Sequence, residues 1–218
     1  MIGIIYEDKE IVVCIKPRGI LSQEASIGEE SMISKLKENR DYIAPVHRLD
    51  RAVCGIMVYA KTPKAAANLS KQIQERTMIK EYEAVIHGVP AEEQGIMEDI
   101  LFKDSAKNKS FVVKSMRKGA KKASLEYRIL GTRIIGEETI SMVHGRLHPG
   151  RPHQIRVQFA SRKMPLMGDG KYGGRDHVKN IALCSTDLYF EHPTTGEPLH
   201  FSHKPNMEEE PWSLFQAE

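Results

Sequence analysis

The chain has 218 residues, of which 40% are hydrophobic and 28% charged, and a formal net charge of +3, a balance typical of a globular protein with one substantial core or two small ones. No apolar run approaches the roughly 20 residues that a membrane-spanning helix needs, and acidic residues come too early at the N-terminus for a secretory signal peptide. The three cysteines are far apart, which excludes a disulfide framework and makes a reducing cytoplasm the simplest compartment.

The N-terminus predicts a β-hairpin. Apolar residues 4–6 and 11–15 flank a polar turn at residues 7–10. Pro17 and Gly19 then end the second strand, because both residue types interrupt a strand.

Three helices are predicted along the chain. The first is short and covers residues 31–38. The second has the clearest pattern, because Thr62 suits the N-cap, Pro63 suits the first helical position, and apolar residues follow at spacings of three and four. The third covers residues 152–162, where apolar residues lie four apart and a proline stands near the start.

Strand-like segments outnumber these helices. They are short, apolar or alternating runs bounded by glycine, proline or charged residues. Beyond the hairpin they cover residues 55–60, 81–86, 123–129, 139–143, 181–190 and 199–202. Strands and helices do not alternate regularly, so the sequence predicts an α+β fold with a mixed or mainly antiparallel sheet rather than a doubly wound parallel sheet.

One dense polar segment lies directly before a predicted buried strand. Residues 47–55 read HRLDRAVCG and place Asp50 between Arg48 and Arg51. A carboxylate on a turn that feeds a strand is a common position for a catalytic acid or nucleophile. The segment alone fits a surface cluster of ion pairs equally well.

A second dense segment, residues 145–156, contains three arginines and two histidines. Its histidines lack a standard metal-ligand spacing, and neither an acid nor a cysteine accompanies them, so a metal site is disfavoured. The planar fork of arginine matches phosphate or carboxylate better. Helical spacing places Arg151 and Arg156 on different faces, so the two arginines can serve different partners.

Positive charge is concentrated in one stretch, which we name the basic stripe. It holds eight cations and one acid, Asp104, within twenty residues, and such a stretch indicates contact with a polyanion or else a solvated basic loop. The cations are Lys103, Lys107, Lys109, Lys114, Arg117, Lys118, Lys121 and Lys122.

Several motifs follow one another in an order that resembles the RluA-type RNA pseudouridine synthases. The resemblance runs over residues 4–205, and its specificity comes from the order and spacing of the motifs together. The motifs are YED (6–8), KPRG (16–19), HRLD (47–50) with Gly55, KEYEA (80–84), GRPHQIR (150–156), PLMGD (165–169) with YG (172–173), AL (182–183), and FEHP (190–193).

The resemblance implies a fold and a reaction. The fold would be a mixed α/β pseudouridine synthase catalytic domain, with a long, mainly antiparallel sheet, flanking helices and a central active-site cleft. It would cover residues 1–218 as a single domain, without the small N-terminal S4 domain of many relatives. The reaction would isomerise a uridine in an rRNA or tRNA stem-loop to pseudouridine, without metal or organic cofactor. We expect a monomeric cytoplasmic enzyme with no membrane partner.

The resemblance also assigns roles to residues. Asp50 matches the catalytic aspartate, Tyr82 the tyrosine that packs against the target base, Arg156 the arginine that pairs with the catalytic carboxylate, and Arg48 an arginine near the vacated base position. A close arginine would keep a cleft carboxylate charged, since burial alone would protonate it. Asp50 could attack C1′ of the ribose, add to C6 of the ring, or abstract a ribose proton.

Contacts to RNA are expected from a second group of residues. Two belong to the arginine-rich segment and three to the basic stripe. They are Arg151, His153, Lys118, Lys121 and Lys122.

Several positions depart from the common family pattern, among them His148-Pro149, which replaces the usual short residues before Gly150. Cys54 stands where serine is frequent, Pro152 where threonine is frequent, and Gln158 where histidine is frequent. None of them removes the expected catalytic set, so we expect an effect on substrate fit only.

Two other functions remain open from the residues alone. One is an RNA-binding module that keeps the fold but lacks catalysis. The other is a cofactor-free carbohydrate enzyme, for which the chain lacks an obvious second carboxylate.

Overall fold

The computed structural model describes residues 2–24, 28–38 and 40–216. Its elements, in chain order, are β1 (Gly3–Glu7), β2 (Ile11–Lys16), α1 (Met32–Lys37), β3 (Ala44–Pro45), β4 (Cys54–Ala60), α2 (Pro63–Glu75), β5 (Ile79–His87), β6 (Gln94–Asp104), β7 (Lys109–Val113), β8 (Ala120–Ile135), β9 (Glu138–His148), α3 (Gln154–Ser161), β10 (Leu183–Glu191), β11 (Pro198–Ser202) and a short 3-10 helix (Trp212–Phe215). The α+β prediction is confirmed.

The chain divides into two compact units. The first contains residues 1–80 and 184–204, and the second contains residues 81–183 and 205–218. None of the helices in the described part of the chain is long and apolar enough to span a membrane.

In the first unit the strand order is β1-β2-β4-β10, with β3 beside β4 and β11 beside β10. The pair β4–β10 is parallel, and the other pairs of this unit are antiparallel. The core lies between the sheet and α2, where Ile56, Val58 and Leu69 are fully buried. Burial of one such aliphatic side chain stabilises the fold by about 1.5–3 kcal/mol.

The predicted N-terminal elements are confirmed. The hairpin pairs β1 with β2, and Ser31 caps α1 in a reciprocal capping box with Ser34. The Thr62 side chain accepts a hydrogen bond from the Ala65 N–H at 3.1 Å, which fixes the start of α2. That helix ends at Arg76, whose left-handed backbone (φ 63°) turns the chain away.

The second unit is an antiparallel sheet in the order β5-β9-β8-β6-β7, with α3 packed on its β6, β7 and β8 strands. Strands β6 and β7 were not predicted, because their apolar residues alternate only loosely among many charged ones. The same reason hid the true length of β8, of which residues 123–129 are only the middle. Four of the eight cations of the basic stripe, Lys103, Lys109, Lys121 and Lys122, therefore lie on paired strands, and the other four lie in the connections between those strands.

His47 connects the dense 47–55 segment to the core of the first unit. Its Nε2 accepts a hydrogen bond from the Val58 N–H at 3.2 Å, so the neutral ring carries its proton on Nδ1. Burial, together with the nearby charge of Lys80, lowers the pKa of His47 from 6.5 to about 3. The folded chain therefore holds a neutral imidazole.

We expect His47→Gln to remove part of the acid sensitivity of the protein. The unfolded chain protonates His47 near pH 6.5 and the folded chain only near pH 3, so its contribution to stability is present above pH 6.5 and is lost as the pH falls. The free energy of unfolding of the native protein should therefore fall more steeply below pH 6 than that of the variant, by up to about 1.4 kcal/mol per pH unit. Urea unfolding at a series of pH values measures this difference.

The matched control is His177→Gln, because the His177 side chain is 80% exposed. That variant should follow the native pH profile. Parallel profiles for native protein and His47→Gln would contradict the assignment of a neutral buried His47.

Candidate active site

Asp50 lies on the turn that leads into β4, as the sequence predicts. The Val53 N–H donates a hydrogen bond to the Asp50 carbonyl oxygen at 3.0 Å, which closes the turn. The Asp50 side chain is partly buried, between the buried Leu49 and the exposed Arg51. The carboxylate is thus held on a short, closed turn rather than on a long loop.

A buried lysine holds the part of this turn that follows Asp50. Lys16, at the end of β2, has no exposed surface, and its ammonium donates to the carbonyl oxygens of Pro17 at 2.8 Å, Arg51 at 3.2 Å and Val53 at 2.8 Å. Three acceptors match the three donors of an ammonium group, so the buried charge is fully hydrogen-bonded.

The pKa of Lys16 is lowered to about 8, because burial lowers it by more than the negative charges of Cys54 and Asp50 raise it. The Asp50 carboxylate and the Lys16 ammonium therefore attract each other. Lys16 was not among the residues predicted from the sequence to act at the site, although a lysine that ends an apolar strand directly before Pro17 was a usable signal.

Ser22 holds the backbone of the residue that precedes Asp50. The Ser22 hydroxyl donates to the Leu49 carbonyl oxygen at 2.8 Å, and the Leu49 N–H donates to the Ser22 oxygen at 3.0 Å. Lys16 therefore holds the backbone that follows Asp50, and Ser22 holds the backbone that precedes it. Such support places a reacting group reproducibly.

Gly55 allows β4 to approach β10 closely. Its backbone has φ +123°, and an added Cβ would lie 2.2 Å from the Ser185 carbonyl oxygen. Any other residue would clash with backbone at this point and would also be strained. Gly55 therefore allows β4 and β10 to pack closely just after the Asp50 turn.

In the second unit, Arg156 forms a buried ion pair with Asp169. Its Nε and Nη2 each lie 2.7 Å from one oxygen of the Asp169 carboxylate, a bidentate arrangement. Only 7% of Arg156 and 2% of Asp169 is exposed. The Tyr172 ring covers the guanidinium, whose Cζ lies 5.1 Å from the ring centroid. Asp169 belongs to the PLMGD motif, but its partner could not be predicted from the sequence.

Tyr82 lies on β5, opposite Gly145 of β9, and is 6% exposed. Tyr82 and Arg156 belong to the second unit, whereas Asp50 and Arg48 belong to the first. The pairing of Arg156 with the catalytic carboxylate, inferred from the resemblance, stays a prediction.

The residues expected to contact RNA have different surroundings. Arg48 is exposed, as are the three lysines of the set, Lys118, Lys121 and Lys122. Arg151 is partly buried, and its Nε donates to the Lys122 carbonyl oxygen at 3.0 Å, which ties the arginine-rich segment to β8.

His153 stands at the N-cap of α3 with a left-handed backbone, φ 56°. Its Nδ1 lies 2.8 Å from the Tyr172 hydroxyl, which also accepts a hydrogen bond from the Ser110 N–H at 2.7 Å. Arg156 and His153 therefore share Tyr172 as a neighbour.

His148 of the second dense segment and His144, which lies just before it, have separate partners. His144 Nε2 lies 3.2 Å from Glu81, and His148 Nε2 lies 3.3 Å from Glu126. Gln158, one of the departures from the family pattern, donates from Nε2 to the Met97 carbonyl oxygen at 2.9 Å and to Asp99 at 2.7 Å. It joins α3 to β6.

Comparison with known proteins identifies the class of protein to which these units belong. The family model described as RNA pseudouridylate synthase matches residues 10–161. The chain is 34% identical to the ribosomal large subunit pseudouridine synthase D of Vibrio cholerae, over 94% of this chain and 67% of that protein. It is 30% identical to the dual-specificity RNA pseudouridine synthase RluA of Yersinia pestis, over 91% of this chain and 96% of that protein.

A solved structure, human RNA pseudouridylate synthase domain containing 1, has the same fold. It superposes with a TM-score of 0.80 at 21% identity and covers 94% of this chain and 84% of that one. The chain belongs to the RNA pseudouridylate synthase family, and its RluA-type relatives confirm the resemblance found in the motifs. Enzymes of this family are isomerases that convert uridine to pseudouridine in RNA.

We expect Asp169→Asn to destabilise the second unit strongly. The change removes the charge that the buried Arg156 guanidinium faces, and breaking a buried pair costs about 3–5 kcal/mol. Glu126→Gln is the matched control, since Glu126 is 54% exposed beside His148 and its loss should cost less than about 1 kcal/mol. Denaturant unfolding measures both, and equal losses for the two variants would contradict the structural role of the pair.

Proposed function

We propose that the chain converts one or more uridines of structured rRNA, tRNA or both to pseudouridine, with Asp50 as the catalytic carboxylate. The observation that carries this proposal is the closed Asp50 turn, held by Lys16 and Ser22, in a chain of this family. The relatives' names support the substrate class, since one acts on the ribosomal large subunit and another is dual-specific. A non-catalytic RNA-binding module would have no need of a turn fixed in this way around a carboxylate residue.

The reaction is an isomerisation in which atoms balance within the nucleotide. The bond from N1 of uracil to C1′ of the ribose breaks, a bond from C5 to C1′ forms, and the C5 proton is lost while N1 regains one. Asp50 starts this exchange by attack on C1′, by addition to C6, or by removal of a ribose proton.

The other residues of the set bind and orient the nucleotide in this proposal. The target uridine leaves its stack at a cost of a few kcal/mol, which contact with the Tyr82 ring helps to offset. Arg156 has in this proposal the role that the family resemblance gives it, and its guanidinium is held in place by Asp169. Arg48 faces the position that the base vacates, and Arg151 with His153 binds the RNA backbone. The enzyme works as a monomer in the cytoplasm, without cofactor.

We expect Asp50→Asn to lower pseudouridine formation by at least about 10³-fold, because the amide can neither accept a proton nor act as a nucleophile. RNA uniformly labelled with tritium at C5 of uracil releases tritium when the C5–C1′ bond forms, so water-soluble tritium measures turnover. RNA from cells that lack this protein is the substrate. RNA binding, measured in parallel, should be unchanged.

Asp41→Asn is the matched control, because Asp41 is exposed on the same unit. That variant should keep native activity. Full activity in Asp50→Asn, or free uracil as the product of the native protein, would overturn the proposed function.

Neutralising the exposed end of the basic stripe should weaken RNA binding. A triple Lys→Gln change at residues 118, 121 and 122 is expected to lower the affinity for RNA. The slope of log K for RNA binding against log salt concentration should become shallower by up to about 0.7–0.9 for each phosphate contact that is lost. The control is the same triple change at Lys9, Lys64 and Lys71, which are exposed on the first unit. An identical salt dependence in both triple variants would show that the basic stripe does not contact RNA.

A further inference from the structure

Two cysteines lie opposite each other on β4 and β10, where the Asp50 turn ends. Cys54 begins β4, and in the parallel pairing of β4 with β10 it lies opposite Cys184. Neighbouring strands are about 4.8 Å apart, which is within the Cα separation that a disulfide requires. The following pair, Gly55 and Ser185, approaches even more tightly than an added Cβ would allow. The backbone thus brings the two thiols together in the first unit.

The two thiols also contact each other chemically. A hydrogen bond from the Cys184 thiol lowers the pKa of Cys54 below that of an ordinary thiol, the charges of Arg18 and Lys16 lower it further, and burial opposes them. The other acceptor near the Cys184 sulfur, the Ser185 carbonyl oxygen, is 3.8 Å away. Cys54 is partly exposed and Cys184 is fully buried. Cys54 is therefore an accessible thiol with thiolate character, and Cys184 is the thiol beside it.

We propose that Cys54 and Cys184 form an oxidation-sensitive thiol pair, which a hydroperoxide such as hydrogen peroxide converts to a disulfide. The Cys54 thiolate attacks one peroxide oxygen, the O–O bond breaks, and the departing hydroxide takes up a proton to give water and a sulfenic acid on Cys54. The Cys184 sulfur then attacks the Cys54 sulfur and loses its proton, and the sulfenic hydroxyl leaves as a second water. Two electrons pass from the thiols to the peroxide, and a dithiol reductant reverses the change.

Cys14 provides the comparison within the chain. It is fully buried in β2, and burial raises its pKa to about 12, so it offers neither access nor a thiolate. A general oxidant should therefore modify Cys54 well before Cys14.

The position of the pair has a consequence for the enzyme, and this part rests on the proposed function. Cys54 is the fourth residue after Asp50, and the carbonyl of the intervening Val53 accepts a hydrogen bond from Lys16. Drawing the two sulfurs to bonding distance moves the start of β4, and with it the turn that positions Asp50. Oxidation should therefore lower turnover.

The test uses the full chain, titrated with hydrogen peroxide, denatured in iodoacetamide and digested without reductant. Mass spectrometry should find a Cys54–Cys184 peptide that dithiothreitol splits, while Cys14 remains alkylated. Cys184→Ser should stop the reaction at a sulfenic acid on Cys54, trapped with dimedone, and Cys54→Ser should leave Cys184 reduced. Cys14→Ser should behave as the native chain does.

Absence of the linked peptide, or oxidation of Cys14 at the same peroxide concentration as Cys54, would overturn the thiol pair.

Tritium release measured on the same samples should fall in proportion to the fraction cross-linked and recover with dithiothreitol, whereas Cys184→Ser should form no cross-link and lose less activity. Unchanged turnover in the cross-linked chain would overturn the link to the Asp50 turn alone. A reduced protein with no turnover would refute the proposed function, and the peptide result would still decide the thiol pair.

Discussion

The buried ammonium of Lys16 is the interaction on which the proposed site depends. An unpaired charge in a protein interior costs several kcal/mol, so a lysine with no exposed surface needs every one of its donors satisfied. Two of its three acceptors are the backbone carbonyls of Arg51 and Val53, which follow Asp50 on the turn, and the third is the carbonyl of Pro17. The turn and the lysine therefore stabilise each other, and the negative charge of Asp50 helps to keep the lysine charged.

The second unit also contains a buried cation, but a side-chain carboxylate stabilises it instead of backbone carbonyls. Arg156 is buried on α3, and its charge is matched by the Asp169 carboxylate and covered by the Tyr172 ring. A guanidinium fixed at two points has little freedom to rotate. Both units thus hold a cation rigidly inside the fold, and rigid charges are the ones that stabilise developing charge without reorganising during a reaction.

The elements that the sequence predicted well are those whose local signals agree. Thr62 and Pro63 mark the start of α2 without reference to any other part of the chain, and β4 is apolar enough to be buried on both faces. Strands β6 and β7 carry weak signals, because their stability comes from ladder pairing with β8 and with each other rather than from an apolar pattern. The order of the motifs was sufficient to identify the family and to single out Asp50.

By itself the sequence determined the α+β class, the position of Asp50 before a buried strand, and the family, because each depends on residues close together in the chain or on their order. Tertiary structure alone decided that Lys16 serves the Asp50 turn, that Asp169 pairs with Arg156, and that Cys54 faces Cys184. Thirteen or more residues separate the members of these contacts in the chain. Such contacts depend on strand order and register, which no local pattern encodes.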